Sequence, residues 1–235
     1  MTVQWRRWAF VGVSCMGLAW HGSSHASGPL HDVLQHLPSC QSATWLDACR
    51  IHVPNAEFSG PSGDNHYHDE FTWTPSTGRR HGVTEHIAPW TYVAGAGSEF
   101  HKGLTATTYV TLYSPGDRIV QRMGALTAAP MDMRYTLVAY VRGTTRPSDA
   151  AAGLVMLKNE AVTLQSIGYT QAAPGRGAPV QAFVNHLLVP AGADADTLVI
   201  ALGAAARGVG PVIVDDVMLV RAPADVAWEE LVPVR

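Results

Sequence analysis

Residues 135–142 read Tyr-Thr-Leu-Val-Ala-Tyr-Val-Arg. Successive side chains of a strand point to opposite faces, which puts Leu137, Ala139 and Val141 on one side and Val138, Tyr140 and Arg142 on the other. Residues 107–113 (Thr-Thr-Tyr-Val-Thr-Leu-Tyr) alternate in the same way, with Tyr109, Thr111 and Tyr113 opposite Val110 and Leu112. Short runs rich in β-branched residues follow at 153–158, 161–167, 181–189, 197–202 and 212–220, separated by turn words such as Ser114-Pro115-Gly116-Asp117. Many short strands with turn signals and no strand–helix–strand spacing predict an all-β, antiparallel β-sandwich. Only residues 31–36 and 224–231, the latter behind Pro223, have a helical pattern. The Ala-rich patches at 150–152, 191–195 and 204–206 read as loops.

Composition agrees with this class and removes others. The chain has 235 residues, 47% of them hydrophobic and 15% charged, with 16 Lys+Arg against 19 Asp+Glu. That is enough apolar content for a substantial core. No basic stripe is present, so nucleic-acid binding lacks an electrostatic footprint. No apolar run reaches the roughly 18–20 residues of a membrane-spanning helix.

Residues 1–26 read as a secretory signal peptide. Arg6 and Arg7 form the basic region, residues 8–20 the apolar region, and Ser24-His25-Ala26 a small-x-small cleavage site. A lipoprotein signal acylated at Cys15 is the less favoured variant, because Gly12 stands where an aliphatic residue is preferred. The expected product is secreted or periplasmic. Of three cysteines, Cys40 and Cys49 then remain. In an oxidising compartment such a pair is most simply one disulfide, stabilising by roughly 2–3 kcal/mol on the chain-entropy estimate. The expected organisation is a signal peptide at 1–26, a disulfide-linked extension at 27–50, the sandwich at 51–222 and a tail at 223–235.

Several words stand in a recognisable order. Val53-Pro54-Asn55-Ala56-Glu57-Phe58-Ser59-Gly60 is followed by Trp73, then Ile119-Val120-Gln121-Arg122 and Tyr135-Thr136-Leu137, and last Val212-Ile213-Val214-Asp215-Asp216-Val217-Met218-Leu219. This order resembles the jelly-roll carbohydrate-binding modules of the galactose-binding-like superfamily, whose words are N-G-x-F-E-x-G…W, I-x-Q, Y-T-L/V and I-D-D-V-x-L. The similarity runs from about residue 51 to 221. It departs at Ala56, where the family has Gly, and at Ser59, where it usually has Glu. The resemblance implies a jelly-roll sandwich that binds a glycan or polysaccharide. It also implies a structural calcium near the first and last strands, for which Glu57 with Asp215 and Asp216 are the candidate oxygen ligands.

Sugar binding needs aromatic platforms beside planar polar groups. The strand candidates are Tyr109, Tyr113, Tyr140 and Arg142, joined by Gln121 and Asn185 if their faces allow. The loop candidates are Trp90, Tyr92, Tyr67 and Trp73. A separate feature is His66-Tyr67-His68, since H-x-H in extended chain puts both imidazoles on one side and suits a transition metal. Gly60, His66 and His68 match the start of the cupin metal motif, but Thr72 and Trp73 stand where its Glu belongs. No nucleophile elbow, zincin helix or phosphate loop occurs. The leading expectation is a secreted, non-catalytic, glycan-binding sandwich. The alternatives are a cupin-like metal enzyme centred on His66 and His68, and a structural or adhesive exported domain.

Overall fold

The structure is a computed structural model that describes residues 29–58, 89–93, 104–106, 109–112, 115–143, 147–174, 181–205 and 211–232. Two short helices, α1 (Pro29–Leu34) and α2 (Trp228–Leu231), bracket eleven strands: β1 (Cys49–Ile51), β2 (Thr91–Val93), β3 (Leu104–Ala106), β4 (Val110–Leu112), β5 (Arg118–Arg122), β6 (Met133–Gly143), β7 (Ser148–Lys158), β8 (Ala161–Ala172), β9 (Gln181–Val189), β10 (Thr197–Ala204) and β11 (Val212–Pro223). All named strand pairs are antiparallel. The six-stranded sheet runs β3-β4-β11-β6-β9 with β1 also on β11, and the five-stranded sheet runs β2-β5-β10-β7-β8.

Successive strands from β4 to β11 cross between sheets, except at the β7–β8 hairpin. The resulting orders, 4-11-6-9 and 5-10-7-8, are those of a jelly roll. The hairpin closes on Asn159 (φ 51°) and Glu160 (φ 61°), two successive left-handed residues that match the right-handed twist of the strands they join.

Alternation along β6 reads out as expected. Leu137, Ala139 and Val141 lie in the core between the sheets, which they share with Leu154, Ile200, Val214 and Leu219. Val138 faces outward, yet it is 0% exposed because the helices cover that surface. Leu34 of α1 and Trp228 of α2 pack against Val138, Met218 and Val220. Burying Leu34 fully contributes about 1.5–3 kcal/mol to holding α1 on the sheet. With both faces covered, every residue of β11 is buried.

The described residues on either side of the sandwich, 29–50 and 224–232, therefore pack onto it. The expected boundary at residue 50 falls inside β1, whose Cys49, Arg50 and Ile51 pair with Arg221, Val220 and Leu219. The Cys40–Cys49 disulfide is present. It closes a loop that Arg221 pins to the sheet, with its guanidinium 4.3 Å above the Trp45 ring and one N–H donated to the Thr44 carbonyl at 2.9 Å.

The loop reading of the Ala-rich patches needs correcting at 150–152 and at Ala204, which ends β10. Residues 150–152, read as a loop, lie inside β7, where Ala150 and Ala152 face the core at 1% exposure. Beside these small side chains, Asn185 of β9 reaches across to donate to the carbonyls of Ala152 (3.2 Å) and Ser166 (3.1 Å) and accepts from the Ser166 hydroxyl (3.0 Å). These bonds satisfy a buried amide that would otherwise be costly.

Candidate functional site

Tyr109, Tyr140, Arg142, Asp215 and Asp216 lie together at the outer face of the six-stranded sheet, with Glu57 within electrostatic reach. Tyr140 and Asp215 are paired neighbours on β6 and β11. Arg142 stands one step along, its guanidinium 5.3 Å above the Tyr109 ring. Beside them the chain bulges at Asp216 (φ 51°), which interrupts the register between Asp215 and Met218. The Val217 N–H donates to the Ala56 carbonyl at 3.1 Å, and this brings Glu57 to the same spot.

The opening loop is fixed from three sides. Gln121 donates to the Pro54 carbonyl at 3.3 Å, the Trp90 indole N–H donates to the Asn55 carbonyl at 3.1 Å, and the Trp90 ring lies 5.5 Å from that of Phe58. Three of the words that carried the family resemblance thus converge in space.

This face is not an open platform. Helix α1 lies over it, and the His31 backbone N–H donates to the Tyr140 hydroxyl at 2.9 Å. Tyr140 and Trp90 are each 2% exposed, so neither offers a ring face to a sugar. Both drop out as stacking residues, and Gln121 and Asn185, expected as polar partners, are buried and hold loop and core together. Tyr109 and Arg142 remain half-buried at the rim. Tyr113, His66, His68, Tyr67 and Trp73 lie outside the described residues, as does the segment read as a signal peptide.

The carboxylates beneath α1 are costly to ionise. Burial, and then the charge of Asp216, push Asp215 up to about 7, against the pull of the Asp216 backbone N–H and Arg142. Asp216 is also raised, by burial foremost, with Glu57 adding to it and His31 opposing. His31 Nδ1 stands 2.8 Å from Asp216 Oδ2, at ion-pair distance but not aligned as a hydrogen bond. Glu57, Asp215 and Asp216 are therefore neighbours, as the resemblance implied. However, among the described residues no three His, Cys, Asp or Glu side chains are placed to hold one metal ion.

The other outer face, on the five-stranded sheet, has a different character. Ile119, Leu154, Ile200 and Leu202 point into the core, so the residues alternating with them point out. Register places Arg118, Gly203, Ala151 and Tyr169 in one row across β5, β10, β7 and β8. The next row is Val120, Ala201, Gly153 and Ile167. Each row has two small residues in the middle and larger side chains at the flanks. At a strand spacing near 4.8 Å, Arg118 and Tyr169 stand about 14 Å apart with a floor of Cβ atoms and glycine between them.

Gly203 is required for this floor, since a Cβ there would come within 2.5 Å of the Asp117 carbonyl oxygen. Tyr169 is half-buried, with its hydroxyl pushed up by burial, while Ile167 is 39% exposed. Gln165 and Gln171, exposed on the same side of β8, bring planar amides. Among the described residues no helix covers this face.

Sequence reading missed Tyr169 because the strand was expected to end at residue 167, whereas β8 continues to Ala172. The available signal was the continued alternation of Gln165, Ile167, Tyr169 and Gln171.

No protein-family model matches the chain, and no curated protein matches it. Among solved structures it is similar to the Stig cyclase Fisc from Fischerella sp. TAU, crystallised with an indole compound, at 14% identity and a TM-score of 0.44 over 76% of this chain and 100% of that one. It is also similar to the CBM22-1 xylan-binding domain of Paenibacillus barcinonensis Xyn10C, at 10% identity and a TM-score of 0.36 over 57% and 86%. TmCBM61, solved with β-1,4-galactotriose, is 10% identical with a TM-score of 0.33 over 56% and 88%. All three scores are below 0.5, and the functional reading rests on the chain's own residues.

Proposed function

We propose that this chain is an exported glycan-binding β-sandwich, with the ligand lying along the outer face of the five-stranded sheet. The observation that carries the reading is the row Arg118–Gly203–Ala151–Tyr169. A pyranose presents a C–H face that stacks on an aromatic ring and a hydroxyl edge that bonds to guanidinium and amide groups. Tyr169 supplies the ring, Arg118 and the β8 glutamines supply the polar partners, and the small residues between leave room for the sugar. Among the described residues this face carries the aromatic, guanidinium and amide groups that binding a sugar needs. The enzyme alternative centred on His66 and His68 falls on residues outside the described ones.

Screening the purified chain against a panel of neutral and acidic oligosaccharides tests the reading. Binding of at least one polysaccharide class, with micromolar to millimolar affinity, is expected. Uniform failure across the panel by folded protein contradicts it.

A further inference from the structure

We propose that the His31 side chain takes the place of a structural cation at the junction of the opening loop and β11. Glu57, Asp215 and Asp216 lie within electrostatic reach of one another there, the two aspartates on residues less than 10% exposed. Buried carboxylates need a positive or hydrogen-bonding partner. In a calcium site that partner would sit 2.3–2.6 Å from each ligand oxygen. Here His31 Nδ1 stands 2.8 Å from Asp216 Oδ2, so the ring fills the space a cation at that oxygen would need.

The ring is delivered by design of the local chain. Leu34, fully buried, seats α1 on the sheet, and the His31 backbone N–H is held by the Tyr140 hydroxyl, so both ends of the residue are fixed. Two further observations point the same way. Residue 59 is Ser where the resembling modules usually carry Glu, which removes one oxygen ligand. No three described side chains are placed to hold an ion. Arg142, the permanently charged group near Asp215, is engaged over Tyr109. The helix thus does the work of an ion and ties the N-terminal segment to the sandwich. This inference is independent of the glycan reading.

The test is thermal melting of the full chain and of His31→Ala, each with EDTA, with millimolar calcium and with neither. The expected result is a wild-type Tm that moves by less than about 1 °C with either additive, and a His31→Ala Tm lower by several degrees. A wild-type Tm that falls on chelation or climbs by several degrees with calcium overturns the proposal. A His31→Ala Tm equal to wild type overturns it as well. Should His31→Ala fail to fold, His31→Lys decides: folded protein indifferent to EDTA supports the replacement, and an equally unfolded variant overturns it.

Discussion

The Tyr140 hydroxyl accepts the His31 backbone N–H at 2.9 Å, across 109 residues of sequence. This contact adds to the Leu34 packing that holds α1 over the outer face of the six-stranded sheet. It seals α1 against β6 and turns a tyrosine that alternation alone marks as outward-facing into a buried anchor. Among the described residues, no helix covers the corresponding face of the five-stranded sheet.

Tyr140→Phe keeps the ring and removes the acceptor. A net hydrogen bond is worth about 0.5–1.5 kcal/mol, and for a chain of this size a kilocalorie is about 2–4 °C. The variant should melt a few degrees lower by differential scanning calorimetry and bind glycan as the wild type does. An unchanged Tm would mean that α1 is held without this bond.

The Cys40–Cys49 bridge closes a short loop next to β1. Replacing both cysteines by alanine should cost roughly 2–3 kcal/mol, a fall in Tm on the order of 5–10 °C. Reductant should lower the wild-type Tm by a similar amount and leave the double variant unaffected. Equal loss in both would place the effect elsewhere.

His186 predicts a pH dependence. Burial, and then Arg134, hold its imidazole below the ordinary value of 6.5, with Glu229 opposing, and Nδ1 is 2.8 Å from the Thr136 hydroxyl. The unfolded chain takes up a proton near pH 6.5 that the folded chain refuses until lower pH. Stability from this group is therefore complete above 6.5 and is lost as pH falls toward the folded value. Melting from pH 7.5 down to pH 5 should show a steeper decline for wild type than for His186→Gln. Identical slopes would remove His186 as the cause.

Much of the fold was legible because alternation has a simple physical origin. The strands at 135–142, 181–189 and 212–220 stand out since one face of each must be apolar to meet the opposite sheet. Alternation assigns a side of a strand but not which side meets solvent, and that is why Tyr140 was read as a platform. The Ala and Gly residues of β7 looked like loop composition, yet Ala151 and Gly153 form the floor of the open face. Tyr169 went unnoticed since a long edge strand with glycine in it resembles the end of a strand. The carboxylates were legible as a group through their place in the opening and closing words. The partner of Asp216 was not, because His31 reaches it from a helix about 185 residues away in sequence.

Processing is a separate prediction. Residues 1–26 carry the basic, apolar and small-x-small pattern of an export signal. Intact-mass measurement on exported material should place the N-terminus at Ser27. A retained Met1, or a lipid on Cys15, would contradict that.

The central claim is that the five-stranded face binds glycan through Tyr169. The direct measurement is calorimetric titration of the strongest-binding oligosaccharide against wild type, Tyr169→Phe and Tyr169→Ala, with the Tm of each recorded. Removing a stacking ring at a binding site costs on the order of 2 kcal/mol, about thirtyfold in Kd. The account predicts near wild-type affinity for Tyr169→Phe and a loss of about thirtyfold for Tyr169→Ala, with Tm nearly unchanged in both. Wild-type affinity in a folded Tyr169→Ala variant would contradict it.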